Sequence, residues 1–292
     1  MSEVKESGIP GVLKIISESP GPRVIVMGGI HGDEPCGVSA VKRLEREFRA
    51  GQLQLAQGEL LLITANHEAI EADQRSLVRN LNRLFKDNSG EPDCYEVRRA
   101  EQLKPLLAEA QYLLDLHSTT SPSPPFLMCE KEGLPIARQM GLDRVVLGWA
   151  TLGAQALAGD TESWARSHGA IAFTLECGQH REPAAEGIAW RAALQFLSIT
   201  GAIKAAEQVI APAPLMLWLY ATQLKESQDF VFSRTYTGFD ALEEGELVGS
   251  DAAREYRTDR PGRIIFPVDP ALVPMGNELY LLAEEYQSQG NQ

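Results

Sequence analysis

The sequence predicts an α/β layered domain with a largely parallel or mixed sheet, followed by a smaller β-rich domain. Short apolar, β-rich runs alternate with helical patterns through the first two thirds of the chain. Several of these runs are apolar at both odd and even positions, as expected of central strands covered on both faces. After Ala211-Pro212-Ala213-Pro214 the pattern turns strand-like and is punctuated by glycine and proline.

The strand candidates are, in order, Arg23–Gly28 (RVIVMG), Glu59–Thr64 (ELLLIT), Tyr112–Leu116 (YLLDL), Arg144–Leu147 (RVVL) and Ala170–Leu175 (AIAFTL). Helical patterns fall at Cys36–Ala50, Tyr95–Glu109, Leu134–Gly141 and Thr161–Ser167. A longer one covers Glu186–Val209, with an interruption expected at Gly201. Residues 1–211 then form the α/β domain and 212–292 the β-rich one, with the proline pair as the joint.

Composition excludes several function classes. The chain has 292 residues and a formal charge of −13, which argues against a nucleic-acid surface or an anionic membrane face. A small anionic substrate remains compatible, provided a few arginines converge locally. The start, MSEVKESGIPGVLKI, has no apolar core of the secretory kind, and Ala213–Ala221 is too short to span a bilayer. Cys36, Cys94, Cys129 and Cys177 are scattered, which reads as reduced thiols of a cytoplasmic protein. Oligomeric state is unreadable, and a homo-oligomer stays open.

Four stretches carry chemistry. In GGIHGDEPCG, His31 and Glu34 follow the first strand at the sheet edge where α/β proteins bind ligands. A lone His-x-x-Glu is more simply a loop histidine and a first-turn helix acid. His117 in LLDLHSTTS shifts that balance, because it too directly follows an apolar strand. Two histidines and a carboxylate form a common catalytic zinc set. Asp115, two residues before His117, either orients a ligand or caps a turn. Arg75, Arg79 and Arg83 have helical spacing, yet Asn80 and Asn82 make a polar loop equally good. Glu176 in TLECG ends a central strand, where a carboxylate needs a metal, an arginine or a catalytic task.

GGIHGDE, NLNRLF, DLHSTTS and TLECG, in this order and at these separations, resemble the succinylglutamate desuccinylase/aspartoacylase family. Each motif is weak alone, whereas the ordered set is specific and spans nearly the whole chain. The resemblance implies a carboxypeptidase-like α/β/α fold with mixed sheet and a β-rich C-terminal domain. It implies one Zn2+ per chain, held by His31, Glu34 and His117. By the same carry-over, Glu176 is the general base and acid, and Arg75 polarises the scissile carbonyl. Asn82 and Arg83 hold a substrate carboxylate, Arg166 a second, and Tyr280 closes the pocket from the C-terminal domain. Two positions depart from the family pattern: Asn80 stands where an aspartate is usual, and Glu162 where aspartoacylases carry a substrate-facing tyrosine.

The implied activity is hydrolysis of the amide of a small anionic N-acyl amino acid, of the N-acetylaspartate or N-succinylglutamate type. Zinc lowers the pKa of bound water to about 7, and Glu176 would carry the proton from that water to the leaving amine. A metallocarboxypeptidase acting on peptide C-termini shares the zinc set. A non-catalytic binding protein on the same fold predicts no zinc and no hydrolysis.

Overall fold

The computed structural model describes residues 2–88, 91–153, 158–204 and 212–287. Strands β1 (Ser2–Glu6) and β2 (Val12–Ser17) form an antiparallel hairpin at one edge of a 12-stranded sheet. The centre is built from β3 (Arg23–Gly28), β4 (Glu59–Thr64), β5 (Tyr112–Thr119) and β8 (Ile171–Gln179). Between β5 and β8 in sequence come β6 (Phe126–Cys129) and β7 (Arg144–Leu147). The order runs β1-β2-β4-β3-β5-β8-β6-β7, with β4-β3-β5-β8 parallel and β6 antiparallel to β8. The sheet is therefore mixed.

The alternation of side chains along β3 explains the layering. Val24 and Val26 face α1 (Pro35–Arg49) and α6 (Ala184–Ile199), packing with Val41, Leu44 and Phe196. Ile25 and Met27 face the other way, toward Leu103 and Leu107 of α3 (Tyr95–Ala108) and Ala165 of α5 (Thr161–Ser167). Two short helices, α2 (His67–Glu71) and α4 (Leu134–Ala137), complete the α/β/α arrangement.

The first residues after the proline pair, β9 (Leu215–Leu224), pair in parallel with β7 and so extend the same sheet. Beyond β9 the sheet continues through β15 (Glu278–Glu285), β14 (Gly262–Ile265) and β11 (Ala241–Leu242). A separate three-stranded sheet holds β10 (Val231–Phe232), β12 (Leu247–Ser250) and β13 (Glu255–Arg257). No helix among the described residues is long and apolar enough to cross a membrane.

Three expectations change in detail. The helical pattern at 134–141 yields only α4, because the bonds Gln139 N to Ile136 O and Met140 N to Ala137 O tighten the chain into i to i+3 turns. The long C-terminal helix stops at Ile199, where Gly201 takes a left-handed conformation (φ 73°) that ends it, and residues 205–211 lie outside the described residues. His117 and Glu176 lie inside strands rather than beyond them. They pair across β5 and β8, and Thr119 pairs with Gln179, so both strands run past their apolar runs.

The strand β3 abuts the first turn of α1 through two glycines. A Cβ on Gly28 would lie 2.5 Å from the Gly37 carbonyl carbon, and one on Gly37 2.5 Å from Leu116 O. Gly28→Ala is therefore expected to destabilise the protein by about 1–3 kcal/mol, through overpacking of a site with no room to relax. Denaturant unfolding measures this, and an unchanged midpoint would contradict the close approach.

Candidate active site

The loop after β3 turns at Gly29 (φ 72°) and is held by Asn66, whose Nδ2 donates to Ile30 O at 3.2 Å. Gly32 leaves no space for a side chain, since its Cβ would meet Ala69 at 2.2 Å. This turn carries His31 and brings Glu34 to the N-cap of α1. Glu34 makes no capping hydrogen bond. Its carboxylate instead faces the two histidines: Oε1 lies 2.7 Å from His31 Nδ1 and Oε2 2.9 Å from His117 Nδ1. The amide of Ser118 also donates to Oε2, at 3.1 Å. All three side chains are buried.

The outer face of each imidazole meets an acceptor. His31 Nε2 is 3.1 Å from Asn80 Oδ1, and His117 Nε2 is 3.0 Å from Asp115 Oδ2. Thr161 Oγ1 donates to the same Asp115 oxygen at 2.6 Å. An acceptor faces the Nε2 side of each ring and each Nδ1 is turned toward Glu34, the arrangement typical of metal-bound histidines. Donor atoms of His31, Glu34 and His117 lie within 4.8 Å of one another. Nitrogen and carboxylate donors at this spacing fit a divalent zinc ion. A second grouping, Asp33, Glu34 and His180, reuses Glu34, whose oxygens already face the histidines.

Electrostatics support the same reading. Burial and the Arg75 charge push His31 down to about 4, so its ring stays neutral. Burial also opposes a charge on His117, yet Asp115 and Glu34 overcome it and hold the imidazole well above its ordinary value. Burial pushes Glu34 up, but the histidines outweigh that and hold it well below the usual carboxylate range. Without metal, a proton on His117 balances the buried carboxylates.

Glu176 is the direct neighbour of His117 across β5 and β8, on the same face of the sheet. It is only 7 % exposed, and its Oε2 has no hydrogen-bond partner. Burial raises its pKa to about 8, a value from which a carboxyl group both accepts and returns protons near neutrality. Arg75 reaches in from the loop after α2, with Nη1 3.2 Å from Glu34 Oε1 and nearly half of its side chain exposed. That loop is pinned by the buried Glu96, whose Oε1 accepts from the amides of Leu77 and Val78.

These groups line one cavity of about 680 Å³, whose wall also includes Phe266, Leu281 and neighbouring residues of the C-terminal part. Residues 20–200 match the succinylglutamate desuccinylase/aspartoacylase catalytic domain. The chain belongs to that family. It is 28 % identical over 279 residues to the succinylglutamate desuccinylase of Vibrio campbellii, covering 88 % of this chain and 80 % of that one. Over 116 residues it is 35 % identical to the N-acyl-aromatic-L-amino acid amidohydrolase (carboxylate-forming) of Rattus norvegicus, 36 % of each chain. The crystal structure of succinylglutamate desuccinylase from Vibrio parahaemolyticus superimposes with a TM-score of 0.78 at 22 % identity, covering all of this chain and 93 % of that one.

Within this family member the remaining sequence-predicted residues divide. Arg79 pairs with Glu91, away from the centre. Arg83 lines the cavity, but its Nη2 is paired with Glu278 at 2.6 Å and its Nη1 with Asn82 O at 2.8 Å. Asn82 also lines the cavity and accepts from the Thr161 amide at 3.1 Å. Arg166 does not line it; half-buried near the end of α5, it acts electrostatically on Glu162 and Cys129. Tyr280 does not line it either, being buried among Phe230, Tyr236, Tyr256 and Ile264. The arginine spacing of 75, 79 and 83 proves to be loop, with a single 3-10 turn at Leu81–Arg83.

Three participants had been given no role by the sequence. Asn80, at a position that departs from the family pattern, accepts from the Asn82 amide at 2.9 Å and faces His31. Asp160 caps α5 and accepts from Trp149 Nε1 at 3.2 Å. Glu162 is 3 % exposed, and burial, then Asp160, raises its pKa to about 8. Its folded value exceeds the ordinary 4.5, so the native state keeps a proton that the unfolded chain releases. Stability then falls as pH rises from about 4.5 to about 8. The slope amounts to a few kcal/mol, on the order of one per pH unit. Glu162→Gln is expected to remove that part of the slope. Urea unfolding at pH 5 and pH 8 reads the difference, and parallel profiles for the two proteins would refute it.

Proposed function

We propose that this protein hydrolyses the amide bond of N-acyl amino acids, using one zinc ion held by His31, Glu34 and His117. The observation that carries the reading is the convergence of both Nδ1 atoms on the two oxygens of Glu34, with Glu176 beside His117. A zinc ion bound there supplies a Lewis acid and lowers the pKa of water to about 7. Glu176 accepts the water's proton as the acyl carbon is attacked and passes it to the departing amine. Arg75, at the rim, donates to the carbonyl oxygen as charge develops there. Asp115 and Asn80 keep the two histidines oriented, and burial excludes competing water. Asn82 and Arg83 lie where they can hold the substrate's carboxylate. Arg166 and Tyr280 are not among the residues that line the cavity, so this reading gives them no direct contact with substrate. The relatives named for desuccinylation and for N-acyl amino acid hydrolysis support this substrate class. The four cysteines are free thiols, in keeping with a cytoplasmic enzyme.

The test is hydrolysis of a panel of N-acetyl and N-succinyl amino acids before and after chelation. Activity should vanish with the metal and return with one equivalent of zinc. Release of C-terminal residues from peptides, with no N-acyl amino acid turned over, would overturn the reading in favour of a carboxypeptidase.

A further inference from the structure

The wall of the cavity is acidic where an anionic substrate would need it basic. Asp33, Glu34, Asp160, Glu162, Glu176 and Glu278 line it against two arginines, and both arginines are already paired with carboxylates of that wall. Glu34 and Glu176 belong to the catalytic centre. Asp160 and Glu162 do not, and the proposed reaction leaves them without a task.

Glu162 is placed by the strands themselves. Thr174 lies two residues before Glu176 on β8, hence on the same face and about 6.6 Å along it. Its Oγ1 donates to Glu162 Oε2 at 3.2 Å. Among the described residues no hydrogen bond or ion pair reaches Glu162 Oε1, although the residue is 3 % exposed and lines the cavity. Within a buried residue, a carboxyl oxygen on the cavity wall with no protein partner is open to a donor that a ligand can supply.

The surroundings say what kind of donor. Met128 is the register partner of Thr174 across β6 and β8, and Trp149 donates its indole N–H to Asp160. Both line the cavity, together with Phe266 and Leu281. Apolar walls ending at a carboxyl group with one oxygen free of protein partners suit an aliphatic stem with a cationic head. The indole adds a face for a cation. A second carboxylate would find there only Asp160 and a Glu162 that burial keeps protonated, whereas a cationic head draws that proton off and pairs with the carboxylate left behind.

The carboxylate and side chain of an amino acid spring from one carbon, so their sites must adjoin. Asn82 and Arg83 adjoin Glu162 through the bond from the Thr161 amide to Asn82 Oδ1.

We propose that the apolar end of the cavity, closed by Glu162, receives the cationic side chain of a basic amino acid, so that the preferred substrates are Nα-acyl derivatives of lysine-like amino acids. This rests on the amide-hydrolase reading above and specifies its substrate.

The experiment compares Nα-acetyl derivatives of L-lysine, L-norleucine, L-aspartate and L-glutamate on the zinc-loaded protein. The lysine derivative should exceed both acidic ones in kcat/KM by roughly tenfold or more. In Glu162→Gln the lysine-to-norleucine ratio should fall roughly tenfold, since norleucine keeps the stem and lacks the charge. Calorimetric binding of Nα-acetyl-lysine and Nα-acetyl-norleucine to wild type is measured in parallel, which decides the matter should the variant fail to fold. Faster turnover of the acidic substrates, or an unchanged ratio in the variant, overturns the subsite and leaves the hydrolase standing. If nothing is hydrolysed yet lysine binds in preference to norleucine, the hydrolase reading falls and the subsite stands. If nothing is hydrolysed and binding shows no preference, both fall.

Discussion

Glu176→Gln should lower kcat by about 10²–10⁴-fold while leaving zinc content intact. Glu176 faces His117 across the strand pair and lines the cavity, and among the described residues no hydrogen bond or ion pair joins it to Glu34 or the histidines. The amide of glutamine has nearly the same shape and cannot take a proton from water, so the loss falls on proton transfer. Folding is expected to move the other way. Burial holds the native carboxyl at about 8, above its ordinary 4.5, so the native state is penalised at every pH above the lower value, increasingly up to the upper one. Replacing the acid by a neutral group removes the penalty. The variant should therefore be inactive and, near pH 8, no less stable than wild type without metal. Turnover, zinc stoichiometry and unfolding midpoints at pH 5 and 8 measure these together. Activity within about threefold of wild type would rule Glu176 out as the proton carrier.

How much of this was legible in the residues follows from what each signal depends on. The central strands were readable because both faces are buried, which makes runs such as RVIVMG and ELLLIT apolar throughout. Strand β6 was not, since four residues between a proline-rich loop and a turn carry too little pattern. The three candidate donors were legible because they fall at or just beyond strand ends of the parallel core, where topology gathers ligands. Their supports were less so. Asn80 acts through a loop whose course is set by the buried Glu96, and nothing in the local sequence announces that contact. The ion pair of Arg83 with Glu278 was not legible, because that partner lies 195 residues away. Glu162 stood out in the sequence only as a departure from the tyrosine that aspartoacylases carry, with nothing local to announce its burial. Only the position of Thr174 on the neighbouring strand shows that it is buried against the cavity. Local chemistry was visible, whereas charges neutralised or stranded by distant chain segments were not.

Glu34→Gln should weaken zinc binding by about 100-fold or more, with activity falling in step and partly restored by excess zinc. Changes that only disturb the partners behind metal ligands typically cost 10–100-fold in affinity, and Glu34 is itself the shared carboxylate. Both of its oxygens are engaged, Oε1 by His31 and Oε2 by His117 and the Ser118 amide. An amide presents one acceptor and one donor, so one histidine must then face an N–H group where it faced an oxygen. The negative charge that helps hold His117 protonated is lost as well, leaving Asp115 as its main anionic partner. The metal-free variant is expected to be less stable, because removing one member of a buried charged set exposes the cost of burying the others. Zinc titration with a competing chelator reads the affinity, and turnover across zinc concentrations separates lost metal from lost chemistry. Tight stoichiometric zinc in the variant would remove Glu34 from the donor set. It would leave the two histidines needing a third ligand that no other carboxylate among the described residues supplies within the same 4.8 Å spacing.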